Sequence, residues 1–212
     1  MRSKKYIQLP KGYLSYSQIT LWQSNPGQYK KIYFDNREEL KTGNISMEYG
    51  KVVANALEHG IQTDNLLTDS AILLLPKYDL ADQEFEAEFK TKYGWLKILI
   101  KPDTMDSKTF AFREYKTGKY PWTQEKADNH LQLKIYATGI YIKHKILPPS
   151  IYLDWIETED FNGEIRPTGK LISFPVTLSK MDIVKTISLV TNVAKDIATA
   201  YALHEPDKRL EF

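Results

Sequence analysis

The chain is predicted to be an α/β or α+β domain in which helices flank a mixed central sheet. Three observations carry that prediction. Residues 14–60 carry short helical patterns, residues 84–116 switch to a period of two, and a helical pattern then separates later strands from a last helix over about 179–203. With 212 residues, 42% of them hydrophobic, the chain can build one substantial core but not two full domains. Residues 1–212 are therefore expected as a single domain, with an N-terminal helical segment over about 14–60.

The elements follow in order. Ser15 or Ser17 caps a short helix through about Ser24, with Ile19 and Trp22 on one face. Asn25-Pro26-Gly27 breaks it, residues 28–34 start a second helical turn, and the polar residues 35–46 read as a loop. Residues 47–60 form a helix with Val53, Ala56 and Leu57 as its apolar stripe and Gly60 as its stop. In residues 84–89, Phe85, Ala87 and Phe89 alternate with Glu84, Glu86 and Glu88, which marks a strand with one solvated face. Residues 92–94 turn, 95–100 form an apolar strand suited to the centre of a sheet, and 109–116 complete a three-stranded meander. Residues 122–126 read as a loop or short turn, 128–143 as a helix, 151–156 and 171–176 as strands, and 160–169 as the turn between them. The last helix carries Ile183, Ile187, Val190, Ala194, Ile197 and Tyr201 at helical spacing.

Composition excludes several chemistries. There is no cysteine, so this chain alone holds no disulfide, thiolate zinc site, cysteine nucleophile or iron–sulfur cluster. No histidine spacing resembles a zinc site, no Ser-His-Asp arrangement is recognisable, and no Walker-type phosphate loop is present. The longest apolar stretch, residues 71–76, is far shorter than the roughly 20 residues that span a bilayer. No signal-peptide-like run follows Met1, so a cytoplasmic place without a membrane partner is expected. A net charge of +2 permits nucleic-acid binding, but only its distribution can argue for it.

Phe110, Phe112, Glu114 and Lys116 share one parity of the predicted strand, so its buried face passes from aromatic core to a charged site. Asp103 precedes the turn before that strand, and a hairpin can bring it near Glu114, although sequence does not fix the register. Two carboxylates bind a hard cation such as Mg²⁺, which neutralises phosphate charge and lowers the pKa of bound water. A neighbouring lysine can orient or deprotonate that water, or stabilise the developing oxyanion. A bare Glu-x-Lys is ordinarily a solvated pair. Pro102-Asp103, the hairpin and the shared aromatic face set this one apart.

Pro102-Asp103, followed eleven residues later by Glu114-Tyr115-Lys116, resembles the PD-(D/E)XK nuclease superfamily. Four further segments resemble its RecB-like branch, which includes CRISPR-associated RecB-type exonucleases and related viral nucleases. They are Ser15-Tyr16-Ser17 with Pro26 and Tyr29, Tyr49-Gly50-Lys51 through Glu58, Lys116-Thr117-Gly118, and His130-Leu131-Gln132-Leu133 with Tyr136. The match covers roughly residues 14–142, with its motifs in the right order.

The resemblance implies a restriction-endonuclease-like fold and a Mg²⁺- or Mn²⁺-dependent deoxyribonuclease. It would act on single-stranded DNA or DNA ends in replication, recombination or repair, in the host cytoplasm if viral. It assigns Asp103, Glu114 and the backbone carbonyl of Tyr115 as metal ligands and Lys116 as the catalytic lysine. Gln132 and Tyr136 would contact the DNA backbone or support the site. Two departures matter. Ala54 stands where many members carry a metal-binding histidine, which leaves Glu58, one turn on, either as a replacement ligand or as a surface residue. Asn25 replaces the cysteine before Pro26, so the iron–sulfur cluster of part of the family is not expected. The alternatives are a weakened or inactive nuclease-fold DNA-binding protein, or a nuclease subunit of a larger DNA-processing complex; a homo-oligomer also remains open. Lys30, Lys31, Lys119, Lys126, Lys134, Lys143 and Lys145, with Tyr120 and Trp122, are candidate DNA contacts where they converge on Lys116.

Overall fold

The helices of the N-terminal segment begin where polar side chains cap them. In the computed structural model, which describes residues 3–41, 45–59, 62–63, 65–81 and 83–204 and not the side chains of 45–47, 57 and 58, Ser15 Oγ accepts from Gln18 N–H at 3.3 Å and opens α1 (Tyr16–Ser24). Asn25 Oδ1 accepts from Gln28 N–H at 3.0 Å and opens α2 (Pro26–Tyr33), with Pro26 in the first turn where its missing N–H costs nothing. A 3-10 turn at Glu38–Leu40 precedes α3 (Ile45–His59) and α4 (Leu66–Leu74). Val53 and Ala56 are buried as predicted, while the Leu57 side chain and Gly60 lie outside the described residues.

Seven strands follow in two sheets among the described residues. β1 (Leu80–Ala81), β4 (Thr104–Met105), β5 (Phe112–Gly118), β6 (Ile151–Phe161) and β7 (Glu164–Val176) form the larger, in the order β1-β4-β5-β6-β7. Only β5 and β6 pair in parallel, so the larger sheet is mixed. β2 (Phe85–Thr91) and β3 (Gly94–Ile100) form a separate antiparallel pair. After α5 (Gln124–Asp128), helix α6 (Leu131–His144) makes the crossover that a parallel β5–β6 pair requires. The capping pair Ser179 and Asp182 then opens α7 (Lys180–His204). No described helix is long and apolar enough to cross a membrane.

The alternation of β5 sorts its side chains onto two cores. Phe112 joins Leu153, Trp155, Tyr136 and the α6–α7 contacts in the larger core, where each fully buried apolar side chain contributes about 1.5–3 kcal/mol. Tyr115 points the other way, into a smaller cluster with Val53, Ala56, Ile72, Leu75 and Ile156. Gly139 lets α6 lie close on β3, since a Cβ there would fall 2.3 Å from Ile100. That approach fixes α6 against the strand that leads into Asp103.

The structure corrects four readings. The three strands do not form one meander, because the free edge of β3 is taken by the N-terminal segment. Ile7 N–H donates to Trp95 O at 2.9 Å and Leu14 N–H to Lys97 O at 3.0 Å, leaving no edge for β5. Phe110 lies before β5, at φ 60°, and stacks on His144 instead of sharing the strand face. Residues 160–169 are mostly strand: only Asn162-Gly163 turns, at φ 54° and 86°, as a two-residue hairpin of type I′ requires. Pro167 lies where the β6–β7 register shifts, at an irregularity that tolerates a residue without an N–H. Finally, residues 124–128 form the short helix α5.

Candidate active site

Thr104 lies opposite Arg113 and Met105 opposite Phe112, so continuing the β4–β5 register by one residue sets Asp103 opposite Glu114. Asp103 Oδ2 accepts from the Tyr115 backbone N–H at 2.6 Å. The N–H and C=O of one strand residue project from the same edge, so the Tyr115 carbonyl belongs to the edge that Asp103 occupies.

Glu114 is 3% exposed. Its Oε1 accepts from Lys116 Nζ at 2.8 Å and from Gln132 Nε2 at 2.5 Å. Lys116 Nζ also donates to Gln132 Oε1 at 2.8 Å, and Gln132 Nε2 reaches Tyr136 Oη at 3.0 Å. Gln132 and Tyr136 stand one turn apart on α6, both buried, and hold this network from above the strand. Glu114 Oε2 is buried and has no hydrogen-bond partner.

Burial, reinforced by Glu114, pushes the Asp103 carboxyl up to about 8, against the Tyr115 hydrogen bond and the nearby lysine charges. Burial raises Glu114 as well, opposed by Lys116 and Gln132. Burial pulls Lys116 down, but Glu114 and then Asp103 more than offset it, so the group stands above the usual lysine range as an ammonium. Two acids and one ammonium in a low-dielectric space disfavour both carboxylates ionising at once, and one carboxylate oxygen is left unsatisfied. The donor set of Asp103, Glu114 and the Tyr115 carbonyl is all oxygen, which fits a hard divalent cation. Among the described residues no three His, Asp or Glu side chains come together as a metal group. Ala54 is exposed on α3, which packs on the Tyr115 face of the sheet, and the Glu58 side chain lies outside the described residues.

Two residues at this site had no role assigned from sequence. His130 is wedged between Tyr16, 5.6 Å away, and Trp122, 5.1 Å away. Burial, then Lys116, brings its pKa down to about 4, and its Nδ1 is buried without a partner. Tyr16 is raised by burial and feels the charges of Lys116 and Glu114. The signal for both was their place at helix entrances, Tyr16 opening α1 and His130 capping α6.

Two of the predicted basic contacts lie away from the cluster. Lys143 sits over Phe85 and Lys145 donates to the Ile142 carbonyl. Both are at the far end of α6, about 16–20 Å along the helix axis from Gln132 at 1.5 Å per residue. Lys126 donates to Pro121 O. Of the acidic strand face, Glu88 is held by Lys4 and Tyr6, and Glu86 by Lys97 at 2.7 Å. Those partners tie Glu86 and Glu88 to the β2–β3 sheet.

No protein-family model and no curated protein matches the chain. Among solved structures, the crystal structure of SSO0001 is similar, with a TM-score of 0.50 at 12% identity, covering 91% of this chain and 79% of that one. At that identity the likeness speaks for the mixed α/β fold alone.

Proposed function

We propose that this chain is a Mg²⁺- or Mn²⁺-dependent deoxyribonuclease, acting on single-stranded DNA or DNA ends. The observation that carries the reading is Glu114 Oε2, a buried carboxylate oxygen without a partner beside a second carboxylate. Leaving a buried acceptor unsatisfied costs about 1–3 kcal/mol, and a cation is a partner that an all-oxygen donor set accepts. Asp103, Glu114 and the Tyr115 carbonyl would hold it. There it supplies charge neutralisation and a water of lowered pKa.

The chain's own residues supply the rest. Lys116, held as an ammonium, stabilises the charge that builds on the phosphate oxygens as water attacks phosphorus and the ester P–O bond breaks. Gln132 fixes both Glu114 and Lys116, and Tyr136 fixes Gln132, so the cluster is aligned before substrate arrives. A second reading, a DNA-binding protein of the same fold without turnover, is favoured by Ala54 and by the two-carboxylate ligand set.

Cleavage of labelled single-stranded and duplex DNA with Mg²⁺, Mn²⁺ or chelator separates the readings. Metal-dependent cleavage is expected, reduced about 10³-fold in Lys116→Ala. Absence of cleavage with either metal, with Lys116→Ala indistinguishable from the parent, rejects the nuclease reading. DNA affinity unaltered by chelator and by Asp103→Asn would then support the binding protein.

A further inference from the structure

Beside the carboxylate cluster opens a cleft of about 510 Å³. Gln132 and Tyr136, which hold the cluster, also line this cleft, together with Tyr16, Lys11, Lys41 and Glu38. Glu38 lies between the two lysines. Its Oε1 accepts from Lys11 Nζ at 2.6 Å, and its Oε2 pairs with Lys41 Nζ at 3.4 Å. All three side chains are solvent-exposed, so these ion pairs are individually weak and readily exchanged. Two ammonium groups converging on two oxygens of one anion is also how lysines hold a phosphate.

We propose that this cleft carries a single nucleic-acid strand leading to the carboxylate cluster, and that Glu38 occupies the seat of one of its phosphates. The proposal rests on the nuclease reading and locates its substrate. A cleft of this volume is in the range of small-ligand pockets, which suits unpaired nucleotides. Lysines track the backbone while an aromatic ring stacks a base, the combination by which single strands are bound. Tyr16 is a ring on the cleft wall close enough to the cluster to sense Lys116 and Glu114. Lys11 and Lys41 are separate from the lysines singled out from sequence, because only the fold brings residues 11, 38 and 41 to one place. Glu38 is an internal competitor that an entering strand displaces. Removing its charge therefore tightens binding, which damage to the fold does not do.

The test uses fluorescence anisotropy of fluorescein-labelled oligothymidylate, in chelator, on the full chain carrying Lys116→Ala so that no turnover intervenes. In that background Glu38→Gln is expected to bind several-fold tighter. Lys11→Ala with Lys41→Ala is expected to weaken binding about tenfold and to flatten the slope of log affinity against log salt by about 0.7, the contribution of the one single-strand phosphate that the pair holds. Tyr16→Ala is expected to weaken binding about tenfold, a difference that an abasic residue at the stacked position removes. The proposal is overturned if Glu38→Gln leaves affinity unaltered or weaker, or if the lysine pair leaves the salt slope unaltered. Equal competition by polyglutamate, which would mark a general polyanion surface, or equal binding of a duplex of the same length, also overturns it. Strand binding through the cleft by a parent chain that never cleaves would remove the nuclease reading and leave the cleft. Cleavage with cleft variants of unaltered affinity would remove the cleft alone.

Discussion

Strand β5 carries a buried charged cluster on each of its faces, and the two are built to opposite specifications. On one face Arg113 Nη1 reaches both oxygens of the fully buried Asp154 at 2.9 Å, and Ser173 Oγ donates to Oδ1 at 2.5 Å. The guanidinium lies 4.1 Å over the Tyr152 ring. Charges cancel and both carboxylate oxygens are bonded. On the other face Asp103 and Glu114 share one lysine, and Glu114 Oε2 is left without a partner. Buried polar groups are satisfied in folded proteins, so a deficit beside a complete example on the same strand is the contrast on which the proposed metal site rests. The Arg113 cluster holds β5 to β6 and β7, while the Glu114 cluster ties β5 to α6 with one oxygen left over.

The largest effect that would sharpen the contrast comes from Asp103→Asn. Metal-dependent cleavage is expected to fall about 10³-fold. Above pH 8, where Asp103 ionises, metal-free stability should rise by about 2 kcal/mol, about 4–8 °C in melting temperature, because a destabilising charge is removed. A variant that loses both activity and stability would place Asp103 with the structural cluster instead. Arg113→Ala should do the reverse. It leaves the Asp154 charge buried and unpaired, at a cost of about 3–5 kcal/mol in chemical denaturation, with metal affinity retained at temperatures where the protein stays folded.

Next in size is pH dependence. Asp103 keeps its proton in the native state up to about 8 against an ordinary value of 3.8, so the native chain binds more protons than the unfolded one between those values. Metal-free stability therefore falls as pH rises through that window, and Glu114, also raised, adds in the same direction. Lys116 is raised too, but its contribution is lost only in the alkaline range. Melting curves from pH 5 to pH 8.5 in chelator test this: the slope should flatten in Asp103→Asn and under saturating Mn²⁺, which displaces the proton. Ser173→Ala sits at the small end. It removes one hydrogen bond to an already paired carboxylate, at about 1 kcal/mol, and should leave cleavage untouched.

Helices α1, α2, α3, α6 and α7 were legible in sequence because their signals are local, whereas α4 and α5 were not read as helices. Ser15 caps as expected, Asn25 caps α2 where it was read only as a break, and Ile183, Val190, Ala194 and Ile197 bury one face of α7. The turn at Asn162-Gly163 was legible too, but Pro167 and Gly169 outweighed it in the reading, although a bulge accommodates the one and a positive φ of 88° suits the other. The meander failed for a non-local reason: nothing near residues 84–116 reveals that residues 5–14 take the edge of β3. Glu114, Lys116, Gln132 and Tyr136 were named from sequence and do converge, through hydrogen bonds that no periodicity can specify.

Sequence by itself determined the residue types of the site, the parity that puts Glu114 and Lys116 on one face, and the absence of cysteine chemistry. Period and capping are properties of a few neighbouring residues, and they survive whatever the rest of the chain does. Tertiary structure decided the register that sets Asp103 against Glu114, the second buried cluster behind it, and the gathering of Lys11, Glu38 and Lys41 beside Gln132. Those depend on which strand edges are left free and on how closely α6 can approach β3 at Gly139, and both are settled only when distant segments compete for the same surface.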